Sequence, residues 1–172
     1  MKIRKEHPRD HAEVYDLVKK SFATCDDDDG ATPDYLNGLR GKSSFVPELS
    51  LVAEGEGGRL VGQVALCETD VAAPGAKIAA LVLSPICVHP DCFGRGIARA
   101  LMERAFEIAA GLGYRAVFLC GDPRFYRKLG FAPTCERGIY HASDAGKNAE
   151  WCMARELAPG ALEGVRGTVD IL

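Results

Sequence analysis

The chain has 172 residues, 47% of them apolar and 26% charged, with a net charge of −3. That is the size and composition of one folded domain, which excludes global disorder and collagen-like structure. The lack of a basic excess argues against nucleic acid or an anionic membrane as the main partner.

Met1 to Lys5 reads as a short edge strand. Asp10, with Glu13 three residues on, has the pattern of a capping box. Val14, Leu17, Val18 and Phe22 follow at helical spacing. Asp26 to Asp29 and Gly30 form a loop, and Pro33 to Arg40 a second short helix. Leu49 to Ala53 and Leu60 to Val71 read as a hairpin around the turn at 55–58. Ile78 to Val88 is a long apolar strand, suited to a sheet centre covered on both faces. A glycine cluster, DCFGRGIA, leads into a helix with Ile97, Leu101, Ala105, Ile108 and Leu112 on one face. Ala116 to Cys120 is a short buried strand. Asp122 and Pro123 open another short helix that Gly130 closes. Phe131 to Tyr140 and Ala149 to Leu157 read as a final strand pair, and the Gly-rich tail from Ala158 has no assignment. The order predicts a mixed α/β sheet with helices on both faces.

The opening MKIRKEHPRD has basic residues with no apolar stretch behind them, so it does not read as a signal peptide. The apolar run Ile78–Val88, interrupted by Ser84 and Pro85, is far short of the ~20 residues that span a bilayer. The expectation is a soluble, cytoplasmic protein. The seven cysteines, at 25, 67, 87, 92, 120, 135 and 152, show no C-x-x-C spacing. They read as small, reduced hydrophobes, four of them within strands (Cys67, Cys87, Cys120, Cys152), and no metal site is expected.

A buried strand that runs into Gly94-Arg95-Gly96 and then a helix is a physical device. Glycine lets the backbone turn sharply, and the helix N-terminus offers unpaired N–H groups to a phosphate or pyrophosphate. A dinucleotide fingerprint fails here, because Arg99 stands at its third glycine. A P-loop fails around Gly41-Lys42-Ser43, because Leu36 stands at its first glycine and no strand precedes it.

Ile86-Cys87-Val88-His89-Pro90 followed by Gly94-Arg95-Gly96-Ile97-Ala98 resembles the coenzyme A motif of the GNAT N-acetyltransferase superfamily, Q/R-x-x-G-x-G/A. Gly96 and Ala98 match, and Phe93 stands where Gln or Arg is usual. GDPRFYRKLGF at 121–131 is similar to the family's later helix. With PGALEGVRGTV at 159–169, it looks closest to small bacterial members that carry a GDP-x-x-Y block. The resemblance covers essentially the whole chain. It implies a single domain over 1–172 with a mostly antiparallel central sheet, two splayed parallel strands and helices on both faces.

It also implies acetyl-CoA as co-substrate and an amine as acceptor, joined by direct attack. The splayed strands would be Ile78–Val88 and Ala116–Cys120. On the resemblance, the backbone of Ile86, Cys87 and Val88 pairs with the pantetheine arm. The amides of Phe93, Gly94, Arg95, Gly96, Ile97, Ala98 and Arg99 hold the pyrophosphate, with charge from Arg95 and Arg99. The Val88 amide is the expected oxyanion donor. Tyr126 matches the family's tyrosine and is the expected proton donor to the departing thiolate. The base stays open among Glu68, His89 and His141. A covalent acetyl-cysteine at Cys87 or Cys120 has nothing to mark an activated thiol. The acidic run Asp26–Asp29 could attract a cationic amine, though such runs are usually just solvated. A non-catalytic acyl-CoA-binding module on the same fold is the alternative, a succinyl donor is a lesser one, and a homodimer is open.

Overall fold

The computed structural model describes residues 1–25, 29–73, 78–144 and 149–171. Among them no helix is long and apolar enough to cross a membrane. The chain divides into two compact units. One holds Met1–Cys67 and Ser84–Ile108, the other Glu68–Leu83 and Ala109–Leu172.

In the first unit β1 (Lys2–Lys5) pairs antiparallel with β2 (Leu51–Glu54), and β2 with β3 (Leu60–Thr69). The expected hairpin is therefore present, closed by a 3-10 turn at Glu56–Gly58. The far end of β5 (Ala80–Val88) lies on the other side of β3. Helices α1 (His11–Phe22) and α2 (Thr32–Leu39) cover one face. Val14, Leu17, Val18 and Leu36 pack there against Val52, Ala65 and Cys87. Helix α3 (Ile97–Gly111) covers the other face. A Cβ on Gly62 would stand 2.9 Å from both Ile97 and Leu101, so only glycine lets α3 approach β3 this closely.

Two details differ from the sequence reading. The capping box at Asp10 does not form on α1. Asp10 instead accepts Arg4 at 2.6 and 3.0 Å and the His7 N–H at 2.8 Å. Glu13 accepts the Leu60 N–H at the start of β3. An arginine fork and a strand end outcompete the helix for these carboxylates, because charge-assisted bonds are the stronger ones. Leu112 lies past the end of α3 and is 51% exposed. The buried stripe uses Met102, Phe106 and Ala109 beside Ile97, Leu101 and Ala105.

In the second unit β5 and β6 (Ala116–Cys120) run parallel, with Ala80–Val82 in register with Ala116–Phe118. β9 (Cys152–Glu156) is antiparallel to β6 along its whole length, and β7 (Ala132–Pro133) is antiparallel to β9. The expected final strand pair is thus only two residues deep. Pro133 has no N–H for a ladder, and Gly138 at φ +74° turns the chain away. β8 (Ile139–His141) leaves for a second, three-stranded sheet. Its parallel partner there is β10 (Gly167–Val169), which also pairs with β4 (Val71–Ala72). The tail without an assignment supplies β10. The fold class is as expected: mixed α/β, with mostly antiparallel strands, parallel pairing of β5 with β6 and of β8 with β10, and flanking helices.

Candidate functional site

The first unit carries the end of β5. The His89 N–H donates to Val61 O on β3 at 2.9 Å. Successive residues of a strand aim their backbone groups at opposite edges. Ile86 and Val88 therefore turn their N–H and C=O groups away from β3, and Cys87 turns toward it. The Cys87 carbonyl does lie against Gly62 of β3. Of the three residues expected to offer backbone to a ligand, Ile86 and Val88 point away from β3 and Cys87 does not.

His89 is buried and pins the turn after β5. Its Nδ1 accepts the Asp91 N–H at 3.3 Å, and the Arg59 guanidinium lies against its Nε2. The chain then makes a 3-10 turn, Pro90–Cys92, and enters the glycine loop. Phe93, Gly94, Arg95 and Gly96 are all exposed. Gly94 and Gly96 sit at φ +74° and +76°, with open space where a side chain would be. The positive φ and not crowding makes them glycines. Gly96 O accepts the Ala100 N–H and so opens α3. The N–H groups of the first helical turn have no carbonyl four residues back, and the helix dipole adds partial positive charge. Such a terminus holds an anion through backbone alone. The Phe93 N–H is engaged by Pro90 O, so at that position only the exposed ring is open. Arg95 is exposed, and Arg99 lies 3.9 Å from Glu103.

The second unit carries Tyr126. Asp122 caps α4 (Pro123–Tyr126) by accepting the Arg124 N–H, as its sequence position predicts. The Tyr126 ring is wedged edge-on between Phe125 and Phe131, with centroids 4.9 and 5.7 Å away. Burial raises its hydroxyl above the ordinary value of 10. That hydroxyl has no hydrogen-bond partner among the described residues. Tyr126 thus keeps its proton at neutral pH, with its ring held between two aromatic neighbours.

Burial pushes the Cys87 thiol up to about 12, and burial with the neighbouring Cys152 pushes Cys120 to about 12. Cys120, at the end of β6, is exposed as a residue while its thiol is partly buried, and so departs in part from the expectation of a buried hydrophobe. The three base candidates are engaged. Glu68 accepts the Tyr114 hydroxyl at 2.6 Å. His89 is pinned as above. His141 Nδ1 takes the Ser143 N–H at 3.1 Å, which leaves Nε2–H to donate to Ile171 O at 3.2 Å. Asp26, Asp27 and Asp28 lie outside the described residues, and Asp29 accepts the Ala31 N–H. Among the described residues no cluster could hold a metal ion.

Sequence reasoning missed Gln63. Its side chain is fully buried, and neither carboxamide atom has a partner among the described residues. It stands opposite Val52 on the α1–α2 face of β3.

The model of the acetyltransferase (GNAT) domain family matches residues 2–134. The chain is similar to YhbS, a GNAT family N-acetyltransferase of Escherichia coli solved in complex with CoA. They are 27% identical, with a TM-score of 0.86 over 99% of this chain and 89% of that one. A GNAT family acetyltransferase of Brucella melitensis, solved with acetyl-CoA, is 25% identical, with a TM-score of 0.77 over 99% and 95%. Serotonin N-acetyltransferase 2, chloroplastic, of Oryza sativa subsp. japonica is 39% identical over 72 residues. That match takes in 39% of this chain and 36% of the relative, so it spans about a third of the relative's length.

Proposed function

The chain belongs to the GNAT acetyltransferase family, and from that premise we propose that it moves an acetyl group from acetyl-CoA to an amine by direct attack. The observation that carries this is the exposed loop after β5, where two left-handed glycines lead from the buried strand end into the first turn of α3. The two similar structures solved with CoA and acetyl-CoA support the choice of ligand. The domain on this reading spans residues 1–172, and the YhbS match over 99% of the chain supports that extent.

The residues fit CoA. The outward backbone groups of Ile86 and Val88 receive the pantetheine arm as a strand would be received. The amides from Gly94 to Ala98 and the first turn of α3 hold the pyrophosphate, with Arg95 and Arg99 adding charge. The exposed Phe93 ring offers a face to the nucleotide end. Acetyl-CoA supplies an activated thioester, and the chain's task is to hold charge and protons around it. The Val88 N–H takes the oxyanion's charge. Tyr126 keeps its proton and gives it to the departing thiolate. Raised thiols at Cys87 and Cys120 favour direct attack over an acetyl-cysteine.

The test is release of free CoA thiol from acetyl-CoA over a panel of primary amines. Amine-dependent release is expected. CoA binding without release on any amine favours a non-catalytic acyl-CoA-binding module.

A further inference from the structure

Trp151 is the one tryptophan of the chain, and it is 39% exposed. A partly exposed indole is most often a chance surface residue, but three features set this one apart. It is held rigidly: the turn before β9 is closed by the Cys152 N–H on Ala149 O at 3.2 Å. Its carbonyl accepts the Gly121 N–H at 2.9 Å, which ties it to the residue that lies under the Tyr126 ring. Its own ring leans on His141, with centroids 5.2 Å apart and planes at 57°. His141 is fixed through both nitrogens, on Ser143 and Ile171. A histidine so tied is fixed in place and backs the indole.

We propose that Trp151, backed by His141, is the acceptor platform of the transferase. It binds amines whose body is aromatic, by stacking on the indole, with the ammonium of the free amine also drawn to the ring face. The Trp151 carbonyl on the Gly121 N–H ties the backbone of this platform to the loop that precedes the expected proton donor. The inference rests on the transferase reading for its meaning, but binding to Trp151 can be measured without turnover.

Because the chain has one tryptophan, its intrinsic emission reports Trp151 alone. Titration with 2-phenylethylamine is expected to change that emission saturably, with an apparent Kd at least about fivefold lower than for n-hexylamine, in line with aromatic pairing energies. In turnover with 2-phenylethylamine, Trp151→Ala is expected to raise the KM of the amine about tenfold and leave that of acetyl-CoA unchanged, with Trp151→Phe recovering most of the loss. Unchanged emission, or equal affinity for the two amines, overturns the inference. So does an unchanged amine KM in Trp151→Ala. Saturable emission with no turnover on any amine leaves the platform standing and contradicts the transferase reading instead.

Discussion

A Cβ built on Gly121 would stand 2.2 Å from Cε2 of Tyr126. The tyrosine ring therefore occupies the space of a missing side chain, and Gly121 sets where its hydroxyl can reach. Gly121→Ala must push the ring off Phe131 or bend the backbone, at about 1–3 kcal/mol. We expect Gly121→Ala and Tyr126→Phe both to lower kcat by about tenfold or more, with CoA affinity changed little. Steady-state kinetics beside a CoA titration checks this. Full turnover in Tyr126→Phe removes it as the proton donor.

Cys120 has its thiol pushed up to about 12, so at neutral pH only about 10⁻⁵ of it is thiolate. Cys120→Ala is expected to keep turnover within about threefold. The intact protein, incubated with acetyl-CoA alone, is expected to carry no acetyl adduct at Cys87 or Cys120. Mass spectrometry decides, and an adduct that an amine then discharges would speak for a covalent route.

Asp10 carries a pH dependence of stability. Hydrogen bonds from Arg4, then from the His7 N–H, hold its carboxyl at about 2 against an ordinary 3.8. The native state thus resists a proton that the unfolded chain accepts. The contribution is fully present above pH 4 and is lost as pH falls toward 2. It amounts to about 2 kcal/mol at this depth of burial. Denaturant unfolding of Asp10→Asn at pH 7 should show that loss, and its stability should change less than the wild type's between pH 4 and 2.

Gln63 buries a carboxamide without partners among the described residues. Such a group costs about 1–3 kcal/mol of desolvation, which an apolar residue of similar shape does not incur. Gln63→Met is expected to raise Tm by about 2–4 °C. A lowered Tm in differential scanning calorimetry would mean that the carboxamide is satisfied in solution, by water for example.

Where local chemistry dictates structure, the sequence was readable. The apolar run before Val88, the positive-φ glycines after it, and the Asp122-Pro123 start of α4 each carry their own signal within a few residues. Pairing partners carried none. Residues 131–140 read as one strand of a final pair, yet only Ala132 and Pro133 join β9, and Ile139–His141 finds its partner in the tail. Nothing local says which of two sheets a short strand will enter. The Asp10–Glu13 pattern misled for the same reason, because Arg4 and Leu60 compete for these carboxylates from elsewhere in the chain. Within the candidate site, the alternation that turns Cys87 toward β3 needed the His89–Val61 bond to fix its phase. Gln63 carries no signal in the sequence, and its burial follows from the helices that cover that face of β3.

The proposed function rests most heavily on the end of β5 and the glycine loop as the seat of acetyl-CoA. Amide hydrogen exchange of the protein with and without acetyl-CoA measures this residue by residue. Slowed exchange at Ile86 and Val88 and from Gly94 to Ala98, with Cys87 already slow in the free protein, is the predicted result. Saturating acetyl-CoA that leaves exchange at those amides unchanged would contradict it.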